Sequence, residues 1–224
     1  MLPKASIFAL SILIAGIIGL IRSKKIDETF YPFIIVVWLA CINEVLGCIL
    51  ELSGHYTAVN NNIYVLTEAI LFTFLFKNLG IFDGLPQLFP LLISFFIVVW
   101  IWENFIHSKI IYVSSWFRVI YSFLIVLMSI TVLNKLIIGN INKSIERTSS
   151  YLLKDPVLLL CIGSIVYFTF KILIEIFWLY GLNQGRDFRV HIYQILVYIN
   201  LAVNFIYALA ILWAPPKQQY MIQY

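Results

Sequence analysis

YPFIIVVWLACINEVLGCILEL, residues 31–52, decides the reading of this chain. A helix of about 20 apolar residues crosses a hydrocarbon core of about 30 Å, and this run is long enough. Its flaw is Glu44, eight residues before the end, which puts a carboxyl roughly 12 Å deep at about 1.5 Å per residue. A charge at mid-bilayer costs about 2.5–3.5 kcal/mol on insertion scales, so it needs a partner, water or a task. The run therefore predicts a membrane-spanning helix that turns a polar group into a bundle.

The same reading extends along the chain. Of 224 residues, 62% are hydrophobic and 12% charged, against about 45–50% and about 25% in soluble domains. Seven apolar stretches cover residues 5–21, 31–52, 62–79, 85–102, 112–138, 156–181 and 190–214. The expected fold is all-α: a polytopic transmembrane bundle of seven helices forming a single domain over residues 1–224. Pro32, Pro86 and Pro156 fall near helix starts, where a missing N–H costs little; Gly54, Gly80, Gly139 and Gly181 fall near ends. The first stretch ends in Arg22-Ser23-Lys24-Lys25 with no small-residue cleavage signal, which reads as an uncleaved anchor. The loop from Gly139 to Asp155 is too short to fold alone, so any signal is expected to pass to another chain.

Orientation follows the cationic loops. One side carries Arg22, Lys24, Lys25, Lys77, Lys135, Lys143, Arg147, Lys154 and Lys217; the other carries Lys4, Lys109, Arg186 and Arg189. The richer side is expected to be cytoplasmic, with the N-terminus outside and the C-terminus inside. No basic run interleaves with aromatics, so no nucleic-acid partner is expected.

With that orientation, Glu44, Glu68, Arg118, Lys171, Glu175 and Asn200 all fall in the outer half of the bilayer. The inner half holds mainly Thr73, Ser129 and Thr131, whose hydroxyls can bond back to helix carbonyls. These six residues are the candidate ligand-binding set, in a polar pocket open to the outside and closed below. Lys171 and Glu175 are four apart on one helix face, and Arg118 is expected to meet Glu44 or Glu68. Three carboxylates against two cations leave one negative charge over. The bland alternative is an ion-pair network that sets helix register and binds nothing.

Other patterns carry weaker readings. Glu51/His55 and Glu103/His107 are spaced by four, and with His191 they are candidate metal ligands at the outer rim. The stronger reading is that they are solvated loop residues, with no metal and no cofactor. Ser11, Ala15 and Gly19 form a small-residue stripe that suits close packing or a homodimer. Cys41, Cys48 and Cys161 read as buried apolar residues, and Asn60-Asn61-Asn62 as a turn and helix cap. Trp38, Trp100, Trp102, Trp178 and Trp213 fit an interfacial belt. Trp116 stands beside Arg118, where a cation–π contact is expected. The last stretch has no lysine, which argues against a retinal Schiff base there.

The run Asn61-Asn62-Ile63-Tyr64-Val65-Leu66-Thr67-Glu68 resembles the asparagine–tyrosine–glutamate signature of small, uncharacterised seven-span inner-membrane proteins of Bacteroidota. Glu44, Asp155-Pro156, Tyr167, Asn200, Asn204 and Trp213 match further positions; Val157 departs where an aromatic is usual. The resemblance implies a seven-helix fold and a setting in two-component signalling, and no activity.

Three functions compete. A sensor or receptor-like module would bind a small molecule from outside and signal to a cytoplasmic partner. An intramembrane enzyme, in one version a metal-dependent hydrolase, would act on lipids; the run Glu51-Leu52-Ser53-Gly54-His55 faintly resembles seven-span zinc hydrolases. The weakest is a transporter, which needs access to both sides.

Overall fold

Long apolar runs bounded by glycine and proline fold as helices throughout. The computed structural model describes residues 11–141, 154–180 and 186–217. Among them are seven α-helices: α1 (Ile12–Arg22), α2 (Tyr31–Leu52), α3 (Ala58–Asn78), α4 (Leu88–Ile101), α5 (Ser115–Ile141), α6 (Pro156–Tyr180) and α7 (Arg186–Trp213). The quoted run is α2, residue for residue. Residues 5–10 of the first expected span lie outside the described residues. Helix α3 begins four residues earlier than expected, because Asn60 to Asn62 continue the helix instead of capping it.

The helix ends follow local chemistry. The Asp27 carboxylate accepts from Thr29 N–H at 2.9 Å and caps the short 3-10 turn that leads into α2. Gly54 and Gly80 have φ of +72° and +77°, the left-handed conformation that glycine takes most easily. Beyond each, a backbone N–H reaches back to the last turn: His55 to Leu50 O at 2.9 Å and Ile81 to Phe76 O at 3.1 Å. Helix α4 ends in a π-helical turn, Trp102–His107, with Ser108 N–H bonded to Glu103 O at 2.9 Å.

Consecutive helices run antiparallel, as their contacts require. Gly16 and Gly19 of α1 lie against Cys41 and Trp38 of α2. Thr29, in the 3-10 turn leading into α2, and Asn43 of α2 meet Asn78 and Asn61 at opposite ends of α3. Helix α1 also packs on α7, which closes a ring of α1, α2, α3, α5, α6 and α7; α4 lies outside it against α3 and α5. We call the end with the α2–α3 and α4–α5 connections the upper end.

At the lower end the chain's last described residues are strapped to the α1–α2 connection. Ile26 pairs with Pro216, and Asp27 N–H donates to Pro215 O at 3.0 Å. Arg22 donates to the carbonyls of Ile211 at 3.0 Å and Ala214 at 3.1 Å, satisfying unpaired acceptors at the C-terminus of α7. The Ser11-Ala15-Gly19 stripe is consumed here too. Ser11 accepts from Asn204, Ala15 is fully buried, and Gly19 faces Trp38, Ile34 and Ile211. The stripe seats α1 inside its own bundle, the close packing that was one of its two expected uses.

Among the described residues, five helical stretches are long and apolar enough to cross a membrane: Glu28–Leu52, Ala58–Asn78, Leu88–His107, Ser115–Ile138 and Pro156–Phe177. Their outward faces expose Ile35, Ile42, Ile49, Leu91, Val98 and Phe123. Contiguous apolar surface of this kind needs lipid against it. The protein is an integral membrane helical protein.

Candidate functional site

Below mid-depth the ring is filled by apolar side chains. Phe33, Phe76, Leu160, Ile125 and Ile211 are all buried, and Phe72 stands edge-on to Phe168 at 5.2 Å. The hydroxyls there are spent on their own helices: Thr73 donates to Ala69 O, Ser129 to Ile125 O and Thr131 to Leu127 O, each at 2.8 Å. Polar chemistry therefore collects above.

Its centre is Glu68 on α3, 3% exposed. One carboxylate oxygen accepts from Tyr64 OH at 2.9 Å, one helical turn back. The other accepts from Tyr121 OH on α5 at 2.6 Å and from Lys171 Nζ on α6 at 3.0 Å. Lys171 also donates to Tyr121 OH, and its ammonium lies about 5 Å from the ring centres of Tyr121 and Tyr167. Three helices are thus joined through one carboxylate. A buried charge pair is tolerable when its remaining lone pairs and protons find partners, and the two tyrosines supply them.

A second pair lies one turn higher on α6. Glu175, 6% exposed, takes Arg118 of α5 at 3.2 Å. This corrects the expectation that Arg118 reaches Glu44 or Glu68. Arg118 and Glu175 are on neighbouring helices at the same height, whereas α3 is already satisfied by Lys171. Trp116, 42% exposed, turns outward rather than over Arg118.

Glu44 and Asn200 stand apart from both pairs. With Glu68, Tyr64, Tyr167, Tyr207, Phe72 and Asn204 they line a cavity of about 70 Å³ among α1, α2, α3, α6 and α7. Lys171 acts on Glu44 electrostatically, but among the described residues no side chain or backbone group hydrogen-bonds its carboxylate. Asn200 Oδ1 is buried and likewise has no donor among the described residues. The cavity is small: ligand sites for drug-sized molecules run about 300–1,000 Å³, and a water's share of liquid volume is about 30 Å³. It holds a few waters or one very small solute.

Glu103 was the expected rim ligand with the most specific alternative use, and it has one. The π-turn rotates it inward to 3% exposure. Its two oxygens accept from Trp116 N–H at 2.9 Å and Phe117 N–H at 2.6 Å, so it caps α5. His107 stacks on Trp102, and Glu51 and His55 are exposed. The side chain of His191 lies outside the described residues. Among the described residues no three of His, Cys, Asp and Glu come together.

Sequence reasoning missed Asn62. It is fully buried and holds the α4–α5 connection. Its amide N–H₂ faces Asn104 Oδ1, Ile110 O and Tyr112 O at 3.0, 3.0 and 2.6 Å, and its oxygen accepts from Ser114 N–H at 3.1 Å. Trp100, expected in the interfacial belt, donates its indole N–H to Asn62 O at 2.8 Å. Asn62, Val65, Glu68, Ala69 and Phe72 are all buried on one face of α3. That spacing of three and four was the available signal. Cys161 is buried as expected, while Cys41 and Cys48 are half-buried, a correction; all three are free thiols.

The fold and centre together define the class: a multi-pass helical membrane protein with a buried polar core. No protein-family model, curated protein or solved structure matches the chain.

Proposed function

We propose that the chain is a seven-span sensor or receptor-like module of a bacterial inner membrane. It binds a very small ligand in the cavity beside Glu44 and signals through helix shifts to a cytoplasmic partner. One observation carries this reading. Half-buried Glu44 has no hydrogen-bond partner among the described residues and faces a cavity, while the two ion pairs have already used Glu68, Lys171, Arg118 and Glu175. An intramembrane charge without a structural partner marks a site. Five helices wall the cavity, so occupancy biases their packing, as a ligand-driven shift requires. The excess of lysine and arginine at the lower end supports a cytoplasmic lower end and a cavity nearer the outside. The resemblance to Bacteroidota seven-span proteins fits the same setting, since Asn62, Tyr64 and Glu68 of that motif all hold buried polar contacts.

The metal version of the enzyme reading is disfavoured by Glu103, which is committed to α5. The transporter reading is disfavoured by the apolar packing of the described residues in the lower half. The test is thermal melting of the purified chain against small ammonium salts, carboxylates, amino acids and sugars, beside Ala40→Leu, which fills the cavity. At least one solute class should raise the wild-type midpoint and leave Ala40→Leu and Glu44→Gln unmoved. If no solute distinguishes wild type from both variants, the binding reading is wrong.

A further inference from the structure

Resting on that cavity reading, we infer that the ligand is a small cation: ammonium or a short primary amine. The lining sets the sign. Among the described residues it contains the carboxylates of Glu44 and Glu68 and no lysine, arginine or histidine. Lys171 is held by Glu68 and Arg118 by Glu175; Lys171 also acts on Glu44 through space without a hydrogen bond to it, so the centre keeps one carboxylate in excess. An anion entering here meets that excess negative charge, and a neutral solute leaves it in place.

Two of the polar groups on offer are acceptors without a donor among the described residues. Asn200 Oδ1 is buried with no donor among the described residues, and it shares the cavity with Glu44. An ammonium group brings N–H donors for both oxygens. Four aromatic residues, Tyr64, Phe72, Tyr167 and Tyr207, stand in the wall beside aliphatic ones such as Val36, Val37 and Ala40. Ring faces attract a cation, and Lys171, lying over Tyr121 and Tyr167, uses the same chemistry a few ångströms away. A hard metal ion asks instead for six or more oxygen ligands, which this wall does not supply. The size limit follows from the volume. About 70 Å³ admits ammonium or methylammonium and excludes bulky quaternary amines.

Methylammonium chloride is the probe. Binding to the full chain in lipid nanodiscs is read by calorimetry and by thermal midpoint, with sodium chloride matching ionic strength. Methylammonium should raise the midpoint beyond sodium. Losing one charge-assisted hydrogen bond in Glu44→Gln should weaken binding by about tenfold or more. Asn200→Leu should weaken it less, and tetramethylammonium should not bind. A methylammonium response that survives unchanged in Glu44→Gln overturns the inference. If acetate or a sugar binds in an Ala40-dependent way and methylammonium does not, the cation class falls while the binding cavity stands. If no solute tells wild type from Ala40→Leu, both fall together.

Discussion

Lys171 and Glu44 share one buried centre and should respond oppositely to substitution. Lys171 holds Glu68 at 3.0 Å and touches Tyr121. Lys171→Met leaves Glu68 as an uncompensated buried carboxylate, and breaking such a pair costs about 3–5 kcal/mol. Glu44 has no such partner among the described residues, so Glu44→Gln should leave stability equal or higher. Melting of the two variants in the same detergent checks the contrast. Equal destabilisation would mean Glu44 is a structural member of the network. The sequence showed that three carboxylates face two cations. It did not show which carboxylate is left over, because pairing depends on which helices become neighbours and at what height. Arg118 found Glu175 fifty-seven positions away along the chain, and no local spacing predicts that.

At the scale of an element, the π-turn after α4 and the closeness of α6 to α7 decide more than helix propensity does. Glu103 is turned inward by the π-turn and caps α5. Glu103→Ala should cost about 0.5–2 kcal/mol, the usual range for a lost cap, and should leave metal content unchanged. Gly163 lets α6 approach α7. A Cβ there would come within 2.8 Å of Tyr207 Cε1 and 3.3 Å of Ile206. Gly163→Ala must therefore push Tyr207 off Ser164 and into the cavity wall, and overpacking of this kind costs about 1–3 kcal/mol. The measurement is the melting midpoint together with methylammonium affinity; both should fall. Helix bodies were legible from apolar length, and Gly54 and Gly80 were legible as ends. Asn60 to Asn62 were not, because asparagine in a short run reads as a turn until buried partners for its amide are known.

For the whole molecule, the lower end is closed by contacts between residues nearly the full chain apart. Arg22 caps α7, and the Asp27–Pro215 and Ile26–Pro216 contacts strap the C-terminal residues to the first connection. Asp27, outside the spans, has its carboxyl held below its ordinary value of 3.8, chiefly by the hydrogen bond from Thr29. A depressed carboxyl contributes stability that is full above its unfolded value and lost as pH falls through its folded one. The wild type should therefore lose a small increment of melting temperature as pH falls through about 3.8 and below, and Asp27→Asn should not show that increment. A variant that tracks the wild type across that window would mean the cap does not stabilise the folded state.

The sequence by itself determined the helical class, the quoted span of α2 and the gathering of charges toward one end. Hydrocarbon solvent leaves a chain this apolar few options besides helices with inward polar groups. Tertiary structure alone decided which charges pair, that Glu103 is a cap, that Asn62 is a hub, and that Glu44 and Asn200 face one small cavity. Those outcomes turn on distances of a few ångströms between separate helices. Such distances arise from how six helices close into a ring, and no single helix carries that information.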